Sequence, residues 1–223
     1  DRDFFAPEVY HYGDTYYMFA SFRGGDITRA SQILRSDSPM GPFLPFTDGP
    51  MTPRDWTCLD ATLYVDEEGN PWTAFCHEWT QVGDGTIEIM PLSADLSTPV
   101  GAPETILRAS GAEWSYSLVD PTSRNYVTDG PFFWRTSDGT LLCLWASFSE
   151  GGYTEAVAVS DNGEIDGHFT QVEPLFMDDG GHGMVFRGLD GQLYLTLHSP
   201  NAHLEERPFF HPITERDGRL YRN

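Results

Sequence analysis

The sequence is poor in cysteine and in long apolar runs, and each shortage excludes a class of protein. Its three cysteines are odd in number and lack a CxxC spacing, so neither a dense disulfide framework nor a zinc knuckle is indicated. No apolar run approaches the roughly 18 residues that a membrane-spanning helix needs. We therefore expect free, buried thiols and no membrane partner.

Basic residues are also scarce, because 13 Lys and Arg stand against 34 Asp and Glu, for a formal net charge of -21. Such a charge repels phosphate backbones and anionic lipids, so nucleic acid is excluded as an expected partner. A neutral ligand remains compatible with it. We expect a soluble, bacterial-type protein that is cytoplasmic, periplasmic or secreted with its leader absent, since the sequence starts at Asp1 without a methionine.

Glycine, proline and aromatic residues are abundant: 22 Gly, 16 Pro and 14% aromatic residues supply the turns and strands of an all-β protein. Four segments, about 50 to 70 residues apart, repeat the pattern strand, glycine turn, strand. These segments are residues 4–22, 59–79, 128–148 and 181–200. Their turns are Gly13-Asp14, Glu68-Gly69, Asp138-Gly139 and Asp190-Gly191, as hairpins require.

The spacing of the repeats is too long for one hairpin and favours four-stranded blades. Further strand-like segments follow the hairpins, namely SQILRSD, TIEIMPLS, EAVAVSD and RPFFHPI. We therefore predict a single β-propeller domain over residues 1–223, with blades near 4–50, 58–110, 126–173 and 180–221. A β-sandwich is the competing fold, because it too contains many short strands.

The first strand of each repeat starts in a common register, about eight residues before its turn, with one residue of slack at Asp129. The residues in this register are Phe5, Asp60, Asp129 and His182. If each first strand is the innermost of its blade, these side chains converge at one end of the axis. The second strands return to that end, bringing with them His77, Glu78 and His198. Glu78 is thereby the strongest additional acid candidate.

Other interpretations of these residues stay open. Aspartate is a poor strand former, but Asp60 and Asp129 could also bond local backbone amides at turns or edges. His182, flanked by glycines in GGHGM, could be an ordinary hydrogen-bonded histidine. The tryptophans of the connecting segments could hold neutral sugar rings or pack in the core; they are Trp56, Trp79 and Trp114. Arg54 could bind a sugar hydroxyl or pair with a surface acid.

At these residues the chain resembles glycoside hydrolase family 43, whose members are five-bladed propellers. DFFAPEV from Asp3 is similar to the WAPEV segment of the family's second blade, and VTDGPFFW from Val127 to its EGP segment. LDATLYVDEEGNPW from Leu59 and GGHGM from Gly180 extend the resemblance over nearly the whole chain. The resemblance implies that about four blades are present, blades two to five, and that the first is missing or removed.

The resemblance also implies an inverting hydrolase of arabinose- or xylose-containing plant oligosaccharides and polysaccharides, of the arabinofuranosidase, xylosidase or arabinanase type. Such enzymes use one carboxylic acid to protonate the leaving oxygen and one carboxylate to activate water. Asp129 matches the general acid, and Asp60 matches a third carboxylate that tunes the pKa of the acid. His182 matches an axial histidine beside a water-coordinated calcium ion, with Asp178 and Asp179 nearby.

Two departures from the family pattern leave the activity of this chain open. Asp129 stands where the family has glutamate, so its shorter side chain could weaken acid catalysis or shift it to Glu78. The family's general base precedes the WAPEV segment, where Asp1 and Asp3 are the only nearby acids. A non-catalytic carbohydrate-binding propeller and an inactive fragment are therefore alternatives, whereas the signatures of WD and kelch interaction propellers are absent.

Overall fold

A computed structural model describes residues 2–25, 27–120 and 122–223. These residues form sixteen strands in four antiparallel four-stranded sheets, with one short helix and one 3₁₀ turn. The sheets follow one another along the chain as the blades of a propeller, which confirms the predicted fold class. Within each sheet, consecutive strands are hydrogen-bonded neighbours.

The four strands of each sheet are consecutive along the chain. Sheet 1 contains β1 (Arg2–Tyr12), β2 (Thr15–Gly24), β3 (Ile27–Ser36) and β4 (Leu44–Pro45). Sheet 2 contains β5 (Cys58–Val65), β6 (Pro71–His77), β7 (Thr86–Pro91) and β8 (Glu104–Arg108). Sheet 3 contains β9 (Asp129–Arg135), β10 (Leu141–Ser149), β11 (Gly152–Ser160) and β12 (Phe169–Gln171). Sheet 4 contains β13 (Gly181–Arg187), β14 (Leu193–Ser199), β15 (Arg207–Arg216) and β16 (Arg219–Arg222). The helix α1 is Trp79–Val82, and the 3₁₀ turn is Ala109–Gly111.

Three apolar layers hold the sheets together, because each sheet buries one face against the next. Sheets 1 and 2 share a cluster around Phe19, Ile33 and Phe75. The layer between sheets 2 and 3 contains the fully buried Trp145, and the one between sheets 3 and 4 contains Leu195. At about 25 cal/mol per Å² of buried apolar surface, these layers are the main source of stability.

The two outer sheets keep apolar side chains in solvent on the faces that no neighbouring sheet covers. In sheet 1, Phe4 is 68% exposed and Val9 44% exposed. In sheet 4, Phe186 is 38% exposed and Phe210 61% exposed. The side chains that pack on neighbouring sheets are instead buried, so the packing of the described residues runs from sheet 1 to sheet 4.

A β-bulge interrupts the first strand of every sheet at the same place. In each first strand, two consecutive residues lie opposite a single residue of the second strand. This bulge begins directly after the pairs Phe5↔Ser21, Leu59↔Cys76, Asp129↔Ala146 and Gly181↔His198. The first bulged residue of each sheet has a positive φ: these residues are Ala6, Asp60, Gly130 and His182, with φ of 42°, 57°, 51° and 57°. A bulge of this kind bends the strand and redirects its side chains.

The bulge corrects the predicted register. Asp60 and His182 do share a position, but its other occupants are Ala6 and Gly130. Phe5 and Asp129 lie one residue earlier, opposite the second strand. The loop between the first two strands has two residues in sheet 1 but five in the other sheets, which explains the offset at Phe5. In sheet 3 the count of eight residues leads to Gly130, so the residue of slack allowed at Asp129 was itself the offset.

Candidate active site

A pocket of about 870 Å³ lies where the four bulges meet, and side chains of all four sheets line it. The predicted site residues among them are Phe5, Asp60, Glu78, Trp79, Asp129, His182 and His198. Hairpins distant along the chain therefore bring Asp60, Asp129 and His182 to one cavity.

Asp60 connects the four sheets at the base of the pocket. Its backbone N–H donates to Ser21 Oγ of sheet 1 at 2.9 Å, and its Oδ2 accepts the Gly130 N–H of sheet 3 at 3.0 Å. The same Oδ2 lies 3.7 Å from Nδ1 of His182 in sheet 4, which is too long for a hydrogen bond. Since Asp60 is only 4% exposed, its carboxylate acts on its neighbours through charge and position.

Gly130 is the residue that allows this close approach. A Cβ on Gly130 would lie 2.6 Å from His182 Cδ2, closer than real contacts permit. Its φ of +51° is also a conformation that glycine adopts without the steric cost of a side chain. The DGP segment thus requires glycine because the His182 ring packs directly on its backbone.

Asp129 lies at the edge of the same pocket and is only partly buried. Its Oδ2 accepts a hydrogen bond of 3.0 Å from the hydroxyl of Tyr153, a residue of β11 that is 2% exposed. The Tyr153 ring stacks on His198, with ring centroids 5.4 Å apart, and His198 Nε2 lies 3.0 Å from Asn201 Oδ1. Asp129 is therefore held from one side while it remains accessible from the pocket.

Glu78 faces the pocket from the end of β6, but Arg29 occupies its carboxylate. Arg29 Nη1 donates to Glu78 Oε1 at 2.6 Å, and the guanidinium lies over the Phe5 ring at 4.6 Å from its centroid. Glu78 Oε2 is buried and has no hydrogen-bond partner among the described residues. In this arrangement neither oxygen of Glu78 is presented to a ligand as freely as the carboxylate of Asp129.

Three other predicted binding residues do not line this pocket in the described part of the chain. Trp56 and His77 stack on each other instead, with ring centroids 4.1 Å apart and an interplanar angle of 10°. His77 Nε2 also lies 2.9 Å from Gln81 Oε1. Arg54 is exposed and lies against Gly49. These residues thus surround the connection into β5 and not the cavity; their assignment as substrate-binding residues stays a prediction.

Burial changes the protonation of the carboxylates at the axis. It raises the pKa of Asp60 to about 7, against the opposing effects of the Gly130 N–H and of Arg29. Burial, together with the charge of Asp60, raises the pKa of Asp129 to about 7 as well. Burial lowers the pKa of His182, although the nearby Asp129 opposes this shift. Near neutral pH, therefore, Asp129 can hold a proton beside an uncharged imidazole.

Comparison with known proteins identifies the protein family of this chain. A family model described as Glycosyl hydrolases family 43 matches residues 1–219. The chain belongs to glycosyl hydrolase family 43. The family predicted from the sequence is thus confirmed, and with it the class of enzyme, because members of this family are glycosidases.

Solved structures of family 43 share the fold of this chain. The endo-arabinase from Bacteroides thetaiotaomicron VPI-5482 is 44% identical, with a TM-score of 0.93 over 97% of this chain and 77% of that one. A thermostable family-43 glycoside hydrolase is 24% identical, with a TM-score of 0.85 over 99% of this chain and 74% of that one. The endo-1,4-beta-xylanase from the same Bacteroides strain is 22% identical, with a TM-score of 0.79 over 100% and 76%. At these lower identities the last two support the fold alone.

A search of curated proteins found no match for this family 43 chain. Among the described residues, none of the helices has the length and apolar character needed to cross a lipid bilayer.

The sequence did not point to several residues that this family 43 pocket contains. Tyr153 and Arg29 are two of them, and Asn201 and Glu206 also line the cavity. Tyr153 and Arg29 lie near the starts of third strands, which begin at the same edge as the first strands because neighbouring strands are antiparallel. That position is the signal that could have found them, whereas our prediction used only the first and second strands.

No evident set of protein ligands for the expected calcium ion lies near His182 among the described residues. Calcium takes six to eight oxygen ligands, yet the described residues contain no group of three or more His, Cys, Asp or Glu side chains arranged to hold a metal. Asp179 instead accepts the backbone N–H groups of Tyr153 and Asn201, and Asp178 pairs with Arg222. Calcium near His182 therefore stays a prediction, which would fail if neither added calcium nor a chelator changed the melting temperature.

Proposed function

We propose that this chain hydrolyses glycosidic bonds in arabinose- or xylose-containing plant oligosaccharides and polysaccharides, with inversion at the anomeric carbon. The observation that carries the proposal is Asp129, a carboxyl group at the edge of the axial pocket whose pKa is raised to about 7. An α-arabinan is the first substrate to test, because the 44% identical structure is an endo-arabinase. A neutral saccharide also suits a chain with a net charge of -21.

In the proposed reaction, Asp129 is the general acid that protonates the leaving oxygen as the glycosidic bond breaks. An acid must hold its proton at the working pH and release it to a group within hydrogen-bond reach. Partial exposure to the pocket provides that reach, and burial of the carboxyl provides the raised pKa. The Tyr153 hydroxyl fixes Oδ2, so the orientation of the carboxyl is set before substrate binds.

Asp60 and His182 act on Asp129 without needing to touch the leaving group. The charge of Asp60 raises the pKa of Asp129, whereas His182 lowers it only when its imidazole is protonated. Glu78 is a weaker candidate for the acid, because one of its oxygens is paired with Arg29 and the other is buried. The water-activating base, which the family resemblance places before the APEV segment, stays a prediction.

The test is incubation of the protein with linear arabinan, xylan and nitrophenyl arabinosides, xylosides and galactosides. We expect reducing ends to appear with arabinan, and NMR of early products to show the inverted anomer. Retention of configuration would contradict the inverting mechanism. Arabino-oligosaccharide binding in calorimetry without any released sugar would contradict hydrolysis and favour the carbohydrate-binding alternative.

The acid role of Asp129 predicts a specific pH dependence. Because the acid must be protonated, kcat/KM should fall as pH rises above about 7, the pKa to which Asp129 is raised. The Tyr153 hydroxyl favours the ionised form of Asp129, so Tyr153→Phe should raise the pKa of Asp129 further and shift this alkaline limb to higher pH. The measurement is kcat/KM against pH for both proteins; a limb that stays in place or moves to lower pH would contradict the assignment.

A further inference from the structure

Glu155 is a buried acid that the proposed mechanism does not use. It lies in β11, is 0% exposed, and does not line the axial pocket of the described residues. Burying a carboxyl group away from water is costly unless it is hydrogen-bonded. Its Oε2 accepts the backbone N–H of Gly183 in sheet 4 at 2.8 Å, so its contact reaches the residue after His182.

The two glycines beside His182 allow this contact. A Cβ on Gly183 would lie 2.9 Å from both Cδ and Oε1 of Glu155. On the other side of His182, a Cβ on Gly181 would lie 2.7 Å from the ring of Tyr153. The backbone around His182 therefore packs directly on β11, and glycines are required because a side chain would fill the space that Glu155 and Tyr153 occupy.

The hydrogen bond from the Gly183 N–H to Glu155 replaces a hydrogen-bond partner that the bulge removes from the ladder of sheet 4. A bulged residue loses its place in the ladder of its own sheet, and His182–Gly183 is the bulge of β13. In two other bulges, a side chain of the preceding sheet likewise accepts a backbone N–H of a bulged residue. Ser21 does this for Asp60, and Asp60 does it for Gly130. Glu155 accepts an N–H of the bulge that carries His182, but at its second residue, Gly183, whereas Asp60 and Gly130 are the first residues of their bulges.

We propose that Glu155 is a positioning residue that fixes the His182 bulge, and through it the imidazole beside Asp60 and Asp129. The inference deepens the proposed hydrolase function and rests on it for its kinetic test. If the carboxyl of Glu155 is lost, the Gly183 N–H loses its acceptor and the His182 ring is free to leave its place 3.7 Å from Asp60.

The kinetic test compares Glu155→Gln with Glu155→Leu. Glutamine keeps a carbonyl oxygen that can accept the Gly183 N–H, whereas leucine removes every acceptor. We expect Glu155→Leu to lower kcat by about 10²-fold, the loss typical of a misplaced catalytic group, with KM nearly unchanged, and Glu155→Gln to keep most of the activity. Equal kcat values for the wild type and the leucine variant would overturn the inference.

The matched control is Glu88→Leu. Glu88 is also a buried acid of a third strand, 3% exposed, but it bonds Thr86 and Thr105 and does not line the axial pocket of the described residues. Its loss should lower the melting temperature and leave kcat unchanged. If Glu88→Leu reduced kcat as much as Glu155→Leu, the effect would be general destabilisation and the inference would fail.

A double-mutant cycle tests whether Glu155 acts through His182. In a His182→Ala background, Glu155→Leu should produce little further loss of kcat, because the ring it positions is gone. A full additional loss would overturn the inference.

A second variant serves if Glu155→Leu fails to fold. Gly183→Ala displaces the same contact from the other side, because its Cβ would contact the Glu155 carboxyl. It should lower kcat in the same way.

An NMR measurement separates this inference from the proposed function. The imidazole nitrogen signals of His182 should shift in Glu155→Leu, remain close to wild type in Glu155→Gln, and be unaffected by Glu88→Leu. This readout needs no turnover, so a wild type that releases no sugar would contradict the hydrolase proposal and leave the inference testable. Unchanged His182 signals in Glu155→Leu would overturn the inference even if the wild type were active.

Discussion

Replacing Asp129 with asparagine is expected to lower kcat on arabinan by about 10² to 10⁴-fold, the contribution typical of general acid catalysis. The amide cannot donate an acidic proton to the leaving oxygen, yet it has nearly the same size. The Tyr153 hydroxyl can still donate to its carbonyl oxygen, so the pocket should keep its shape. The measurement is kcat and KM, accompanied by the melting temperature to show that the variant is folded.

Two variants make the Asp129 result specific. Asp190→Asn makes the same chemical change in an exposed hairpin turn, where the carboxylate accepts the Gln192 N–H, and it should leave kcat unchanged. Glu78→Gln tests the competing acid. If Asp129→Asn kept its activity and Glu78→Gln lost it, the acid would be Glu78 and the assignment of Asp129 would be wrong.

Replacing Gly130 with alanine is expected to destabilise the protein and to disrupt the site together. A φ of +51° is strained for alanine, and the new Cβ would lie 2.6 Å from the His182 ring and 3.0 Å from its Cα. The ring must move, and the hydrogen bond from the Gly130 N–H to Asp60 weakens. We expect a loss of about 1–3 kcal/mol in the free energy of unfolding and at least about a tenfold loss in kcat.

Gly13→Ala is the matched control for Gly130→Ala. Gly13 has a similar φ of +59°, but a Cβ there would meet nothing within 4 Å. It therefore reports the backbone strain alone, which should cost about 1 kcal/mol and leave kcat unchanged. Thermal unfolding and kinetics of both variants make the comparison. Equal destabilisation with unchanged kcat in both would show that the contact between Gly130 and His182 does not matter for the site.

Much of the fold could be predicted because its signals are local. Turn glycines such as Gly69 and Gly139 lie between the paired strands that the structure contains. Third strands such as β7 and β11 were also predicted from their short apolar runs. The motifs around Asp60, Asp129 and His182 indicated the family, and the family model matches residues 1–219.

The candidate site could be predicted only in part, because side-chain direction depends on contacts between sheets. Phe5 and Asp129 were predicted in the register of Asp60 and His182 but lie one residue before the bulge. His77 was predicted at the rim, and Trp56 in a connecting segment as a residue that could hold a sugar ring, but the two rings stack on each other. Nothing in a count of residues between turns reveals a bulge or such a stack.

The sequence by itself determined four hairpin units, their turns and the chemical types of the residues at the strand starts. The alternation of apolar residues and the turn glycines are local signals that span only a few neighbouring positions, so a single sequence is enough to show them. The tertiary structure decided which of those residues face one another. One extra residue in a strand turns the following side chains to the other face. Only the packing of the sheets fixes where that residue lies. The same packing brings Tyr153 to Asp129 and Glu155 to the His182 bulge.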